Sequence, residues 1–212
     1  MILCEGADDK AFLKALIERR RLPDFSVHHT GTPRDPTGGN SKFCEALEYR
    51  YEVRAERSYK DIVIISDNDD DPETSSQNIK EQVGRYFDLN LKEWDEKNII
   101  TTELGMPRIL IIMMPWYGEM GSLETLCYEA AFAASPLMQK VVSQFQFEAG
   151  VHKWDEAHRR DEMWLRSYLA VSCKQDPFVP MRDVFDRRSK LNLVPLEHEC
   201  FDRLAKALHQ LI

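Results

Sequence analysis

The stretch Asp61-Ile62-Val63-Ile64-Ile65-Ser66-Asp67-Asn68-Asp69-Asp70-Asp71-Pro72 constrains this chain more than any other. An apolar run with four β-branched residues ends in four aspartates among five positions. The run leaves no room for polar alternation, which predicts a strand buried on both faces. Pro72 has no backbone donor and stops further pairing. A buried strand ending in massed carboxylates carries negative charge to the rim of a sheet. Carboxylates crowded this closely repel one another, so they need a cation or a raised proton affinity. A divalent-metal site is the reading that follows.

At 212 residues the chain suits one domain, or one domain with an extension. No apolar run approaches the roughly 20 residues of a membrane helix. The opening Met1-Ile2-Leu3-Cys4-Glu5 has neither the basic stretch nor the apolar core of a signal peptide. Five cysteines (Cys4, Cys44, Cys127, Cys173, Cys200) are widely spaced and never form a C-x-x-C pair. That pattern argues for reduced thiols in a cytoplasmic protein, and against a zinc site or disulfide framework. The net charge of -8 is unlike the basic surface of a nonspecific nucleic-acid binder. The acidity is concentrated in residues 1–150, where bound divalent metal would offset part of it.

Short apolar runs alternate with helical periodicity through the first part of the chain. Ile2-Leu3-Cys4 reads as a strand closed by Glu5, and a helix follows from Ala7 to Asp9 onward, with Phe12, Leu13, Leu16 and Ile17 on one face. Ser26 to Thr30 is expected to be a second strand, followed by a loop rich in Gly and Pro. Asn40 or Ser41 caps a helix to about Arg57, with Phe43, Leu47 and Tyr51 on one face. Asp61 to Ser66 is the third strand, and Ser75 or Ser76 caps the next helix through Val83, Phe87 and Leu91. Residues 92–106 are a polar excursion without a clear pattern. Arg108 to Met114 is a fourth strand ended by Pro115, and Ser122 caps the helix after it.

The fold class expected is therefore α/β: a mainly parallel four-stranded sheet flanked by helices over residues 1–134. Residues 135–212 read as a helical C-terminal extension packed on it, with segments near 136–147, 156–173 and 197–211.

In parallel α/β sheets, function collects at the carboxyl ends of the strands. Strand one ends at Glu5, strand three at Asp67 and Asp69, and strand four is followed by Glu119 and Glu124. Asp67 and Asp69 are two apart, so an extended backbone points both the same way and Asn68 the other. Asp9 lies one helical turn after Glu5; it either complements the helix N-terminus or joins the ligands. Glu124 is either a near-miss capping residue for Ser122 or a ligand. Asp70, Asp71 and Glu73 read as solvated loop acids. Such a sparse oxygen set suits Mg2+ (or Mn2+), which keeps several waters.

Other motifs are less telling. Gly38-Gly39-Asn40-Ser41-Lys42 opens a helix and offers N–H groups and a lysine to a phosphate, although it lacks Walker spacing. His28 and His29 read as structural or exposed. Arg19-Arg20-Arg21 and Arg187-Arg188 read as solvated faces, with nucleic-acid backbone contact the other reading. A helix-loop-helix calcium site is excluded, because Asn78 occupies the twelfth position from Asp67 and a strand precedes the loop. A phosphatase-type aspartate is excluded too, since Asp71 stands where its threonine belongs.

Leu3-Cys4-Glu5-Gly6-Ala7-Asp8-Asp9 and Ile64-Ile65-Ser66-Asp67-Asn68-Asp69 resemble the glutamate and D-x-D motifs of the Toprim domain. The chain is similar to the nuclease domain of the overcoming-lysogenization-defect (OLD) family, over roughly residues 1–135 and more loosely over 160–212. The resemblance implies a metal site of Glu5, Asp9, Asp67, Asp69 and Glu124, the last within Gly121-Ser122-Leu123-Glu124. It also implies a lysine in the C-terminal part, matched loosely by Lys174. The partner ATPase domain of full-length relatives is absent, so a separate ATPase or other protein is a possible partner.

The function expected is metal-dependent phosphodiester hydrolysis of DNA or RNA, with Glu5, Asp67, Asp69 and Lys174 in catalytic roles. Lys42 is a second choice for stabilising charge on the phosphate. The alternative is a noncatalytic binding or sensor module acting with a partner protein. Primase-like nucleotidyl transfer is a third reading, without a visible nucleotide site.

Overall fold

Strand β3 (Asp61–Asp67) is buried from Ile62 to Ser66, as its unbroken apolar run requires. The computed structural model describes residues 1–52, 59–89, 99–100, 107–186 and 192–210 of the chain. β3 lies at the centre of a five-stranded sheet. The other strands are β1 (Ile2–Cys4), β2 (Val27–His29), β4 (Ile99–Ile100) and β5 (Arg108–Met114), in the order β2-β1-β3-β5-β4. The four strands expected from the sequence are all parallel to one another. β4 adds an antiparallel edge beside β5, within the excursion 92–106. The rest of that excursion lies outside the described residues.

Because side chains alternate along a strand, each strand feeds two cores. On one face, Cys4, Val63, Ile65 and Ile112 pack against Phe12, Leu13 and Leu16 of helix α1 (Ala7–Arg19). On the other, Leu3, Ile62, Ile64 and Ile111 meet α2 (Phe43–Leu47) and α3 (Pro72–Phe87) through Phe43, Leu47, Ile79 and Val83. Burying a side chain such as Phe12 contributes roughly 1.5–3 kcal/mol.

The remaining helices are α4 (Leu123–Ala134), α5 (Pro136–Glu148), α6 (Ala157–Ser172), α7 (Met181–Val184) and α8 (Asp202–His209). Leu165, Tyr168, Met181, Phe185, Phe201 and Leu208 join the α1 face of the core. Phe12 lies 5.5 Å from Phe185 and 5.3 Å from Phe201, centroid to centroid. The helical extension thus shares a core with the sheet. Ser135 stands at the expected boundary, ending α4 and preceding α5.

Several local expectations are corrected. α3 begins at Pro72, not after Ser75 or Ser76: Asp71 caps it by accepting from Thr74 N–H at 3.0 Å, and proline suits the first turn. The helix expected from Asn40 or Ser41 starts at Phe43 and passes into a π turn at Glu48–Glu52. Its continuation to Arg57 lies outside the described residues, as do Leu91, Arg187-Arg188 and residue 211 of the last helix. Arg20 is not a solvated charge. It donates to Leu196 O and His198 O, both at 2.7 Å, and to Asp202 Oδ1 at 3.0 Å.

Candidate metal centre

From β1 the chain passes outward to β2, then returns to the opposite side of β1 to form β3. The helix after β1 packs on one face of the sheet and the helix after β3 on the other. The strand order therefore reverses between β1 and β3, which makes the rim beyond their carboxyl ends the switch point where open α/β sheets bind ligands. Cys4 is paired with Ile65, so Glu5 emerges beside Ser66.

Glu5 Oε1 accepts a hydrogen bond from Ser66 Oγ at 2.5 Å and another from Asp67 N–H at 2.9 Å. Asp9 is 8% exposed, and its Oδ2 accepts from Gly6 N–H at 2.6 Å across the turn between β1 and α1. Asp67 Oδ1 accepts from Leu123 N–H at 2.9 Å, which joins the end of β3 to the first turn of α4. In that turn Glu124 Oε2 accepts from Ser122 Oγ at 2.8 Å, while Ser122 N–H bonds Thr125 Oγ1 at 2.9 Å. The cap is thus completed by Thr125, and Glu124 is turned back to Ser122.

Asp69 departs from its expected geometry. Its φ of 51° ends the extended backbone, so alternation does not place it beside Asp67. It exchanges two backbone hydrogen bonds of 2.8 Å with Gly121, binding the D-x-D turn to the loop before α4. Asn68 does point elsewhere. Its Nδ2 donates to Trp116 O at 2.6 Å and Glu119 O at 2.7 Å, fixing the loop after β5.

Burial dominates the electrostatics. It raises the Glu5 carboxyl to about 7 and the Asp9 carboxyl to about 6, partly opposed by their hydrogen bonds. Asp9 and Asp69 push Glu5 up further; Glu124 and Asp8 do the same to Asp9. Asp67 is raised well above the usual carboxylate range by desolvation, then by the charges of Asp9, Glu5, Glu124 and Asp69. Glu124 and Asp69 are raised too, each first by desolvation. Two strand ends and two helix starts have brought five mutually repelling acids to one rim of the sheet. None of the five forms an ion pair with a described residue. Among the described residues no three of them bring one oxygen each within 4.8 Å. A small ion held here would keep several waters and reach part of the set through them, a habit of Mg2+.

The rim acids outside this set have other work. Asp70 accepts from Ala157 N–H at 2.6 Å and pairs with His158 Nδ1 at 2.9 Å, docking the start of α6. Asp71 caps α3, Glu73 is exposed, and Glu119 pairs with Arg203 at 2.6 Å. Asp161 on α6 accepts from Thr125 Oγ1 at 2.5 Å, and burial raises its carboxyl. Sequence reasoning missed Ser66, Thr125, His158 and Asp161. Ser66 was legible as the polar residue closing β3; the α6 residues depend on a docking that no local pattern encodes.

Lys174 is not brought to the acids. α6 meets the rim with its first turns, and Lys174 is exposed beyond its last residue. At 1.5 Å rise per residue, that end lies roughly 20 Å along the axis from His158. The glycine loop is not a phosphate cradle either. Gly39 N–H donates to Thr30 Oγ1 at 2.8 Å, and Lys42 pairs with Asp35 at 3.3 Å.

Instead, the loop buttresses Glu5. At Gly38, with φ of 75°, a Cβ would stand 2.7 Å from Glu5 O and 2.8 Å from Thr30 Oγ1. Gly38→Ala is expected to cost about 1–3 kcal/mol, read as a lower urea midpoint, because backbone atoms cannot yield as a side chain can. His28 and His29 are structural, bonded to Ser26 Oγ at 2.9 Å and Gly31 N–H at 3.0 Å.

Fold and site together define an α/β protein with a carboxylate cluster at the switch point of a mainly parallel sheet. The chain belongs to the family described as "Protein of unknown function (DUF3226)", whose model matches residues 1–212. No curated protein and no solved structure matches it.

Proposed function

We propose that this protein is a divalent-metal-dependent enzyme that hydrolyses phosphodiester bonds in nucleic acid, with a site of Toprim type. The observation that supports the reading is the convergence of Glu5, Asp9, Asp67, Asp69 and Glu124 at the switch point, with no ion pair to a described residue. The all-oxygen donor set fits Mg2+ or Mn2+. Bound there, the metal would supply Lewis acidity and a more acidic water.

The chain's own residues prepare the site. Ser66 and the Asp67 N–H orient Glu5, while Leu123 N–H holds Asp67 and leaves its second oxygen for a ligand. Gly6 N–H fixes Asp9. With Lys174 at the far end of α6, Lys10 takes its place in our reading as the cation facing phosphate. It follows Asp9 in the chain, forms no ion pair with a described residue, and acts on the Cys4 thiol as Asp9 and Glu5 do, though in the opposite sense. Burial, and then Lys14 and Arg50, lower its own proton affinity. The nucleic acid, DNA or RNA, is the substrate in this reading, with a partner ATPase as a possible regulator. No described helix is long and apolar enough to cross a membrane. The five cysteines are free, which suits the reducing cytoplasm.

The test is cleavage of single-stranded, duplex, nicked and RNA substrates by purified protein with Mg2+ or Mn2+. Metal-dependent cleavage lost in Asp67→Ala and weakened at least about tenfold in Lys10→Met is expected. Absence of cleavage on all four substrates rejects independent catalysis and favours a binding or sensor module. Cleavage that persists in Asp67→Ala assigns it to another site.

A further inference from the structure

Glu129, His198 and Cys200 meet on a different part of the molecule. A carboxylate oxygen, a ring nitrogen and the thiol sulfur of these three lie within 4.8 Å of one another. Glu129 is exposed on α4, while His198 and Cys200 are half-buried in the turn that leads into α8. The Cys200 thiol donates to Leu126 O at 3.5 Å, and Leu126 lies one helical turn before Glu129. The Cys200 N–H donates to His198 Nδ1 at 3.3 Å, so ring and thiol share one tight segment. That segment is held in place by Arg20, through Leu196 O, His198 O and Asp202.

We propose that Glu129, His198 and Cys200 form a second metal site, specific for a zinc-class cation, that ties the C-terminal segment to α4. The donor set decides the metal. A thiolate, an imidazole and a carboxylate suit Zn2+, whereas Mg2+ and Mn2+ favour oxygen ligands. Zinc bonds of about 2.0–2.3 Å put tetrahedral ligand atoms roughly 3.5 Å apart, within reach of small side-chain rotations. On binding, the thiol proton leaves to solvent. Three protein ligands leave a fourth position for water or an external ligand.

The consequence concerns the first site as well, though the proposal does not rest on it. α4 carries Glu124 and the N–H that Asp67 accepts, so zinc would lock that helix against the chain's C-terminal segment. Cysteine spacing concealed the site, because its ligands come from two distant stretches and only one is a cysteine.

The test uses the full chain, treated with chelator and titrated with Co2+ as a spectroscopic substitute for Zn2+. Expected is a thiolate-to-cobalt charge-transfer band that saturates at one equivalent and disappears when Zn2+ is added. The band should be kept in Asp67→Asn and lost in Cys200→Ser and His198→Ala, and Zn2+ should raise the thermal midpoint only where the band forms. Absence of the band in the native chain overturns the proposal, and so does a band that survives Cys200→Ser. If Cys200→Ser does not fold, Glu129→Gln on the exposed face of α4 serves. Co2+ binding at least about tenfold weaker supports the site, and unchanged binding overturns it.

Discussion

Asp67→Asn is expected to make the metal-free protein more stable while abolishing its metal-dependent activity. At pH 8 without divalent metal, the thermal midpoint should rise by roughly 2–8 °C, corresponding to about 1–2 kcal/mol. The reason lies in what surrounds the carboxylate. Desolvation and the charges of Asp9, Glu5, Glu124 and Asp69 all disfavour its ionised form. Asparagine keeps an oxygen to accept the Leu123 N–H and removes the charge. Sites that hold like charges together for function are a common source of such a stability–activity trade-off. Cleavage should fall at least about a hundredfold, since outer-sphere losses alone cost metal sites about 10–100-fold. A variant less stable than the native chain would show that the Asp67 charge is not a source of strain.

The second large effect is a fall in stability as pH rises. Glu5 titrates at about 7 in the folded chain against an ordinary 4.5, and Asp9 at about 6 against 3.8. Between those limits the folded chain holds more protons than the unfolded one, so stability declines from about pH 4 to about pH 7. At 1.36 kcal/mol per pH unit, Glu5 alone accounts for roughly 3 kcal/mol of that decline.

Two rim acids act in the opposite sense. Asp70 is partly desolvated, yet its bonds from the His158 N–H, the His158 ring and the Ala157 N–H hold it low. Asp71 is held low by Thr74. Their contributions are lost only as pH falls below the ordinary aspartate range, outside the window. In EDTA the urea midpoint should therefore be higher at pH 5 than at pH 8. Mn2+ competes with the same protons, so it should raise the midpoint strongly at pH 8 and little at pH 5. Equal midpoints at the two pH values would mean that the acids are solvated.

The contrast between Asp67 and Asp69 shows what a sequence can disclose about such a site. Glu5 and Asp67 were legible because each closes an apolar run, and parallel pairing then sets both on one rim. Asp69 was placed correctly near the rim for an incomplete reason: its left-handed backbone depends on the Gly121 bridge, a contact across more than fifty residues. Gly38-Gly39 advertised free N–H groups, but Thr30, just past the end of β2, had already engaged Gly39.

Lys174 followed from a loose likeness to a family, and the length of α6 carried it away from the acids. The sheet itself was readable from Ile62 to Ile65 and Ile109 to Ile112. The docking of α6 by Asp70 and Asp161 was not, because an acid's partner on a distant helix leaves no periodic trace. For the same reason nothing in the spacing of His198 and Cys200 pointed to Glu129.

The most direct measurement of the central claim is calorimetric titration of Mn2+ at pH 7.5 into the native chain and into Glu5→Gln, Asp67→Asn and Cys200→Ser. Glutamine at position 5 retains an acceptor for Ser66 and the Asp67 N–H, so the change is one of charge. If the switch-point acids form a metal centre, the native chain and Cys200→Ser bind Mn2+ alike, and both acid variants bind at least about tenfold more weakly. No binding by the native chain, or equal binding by all four proteins, would contradict it.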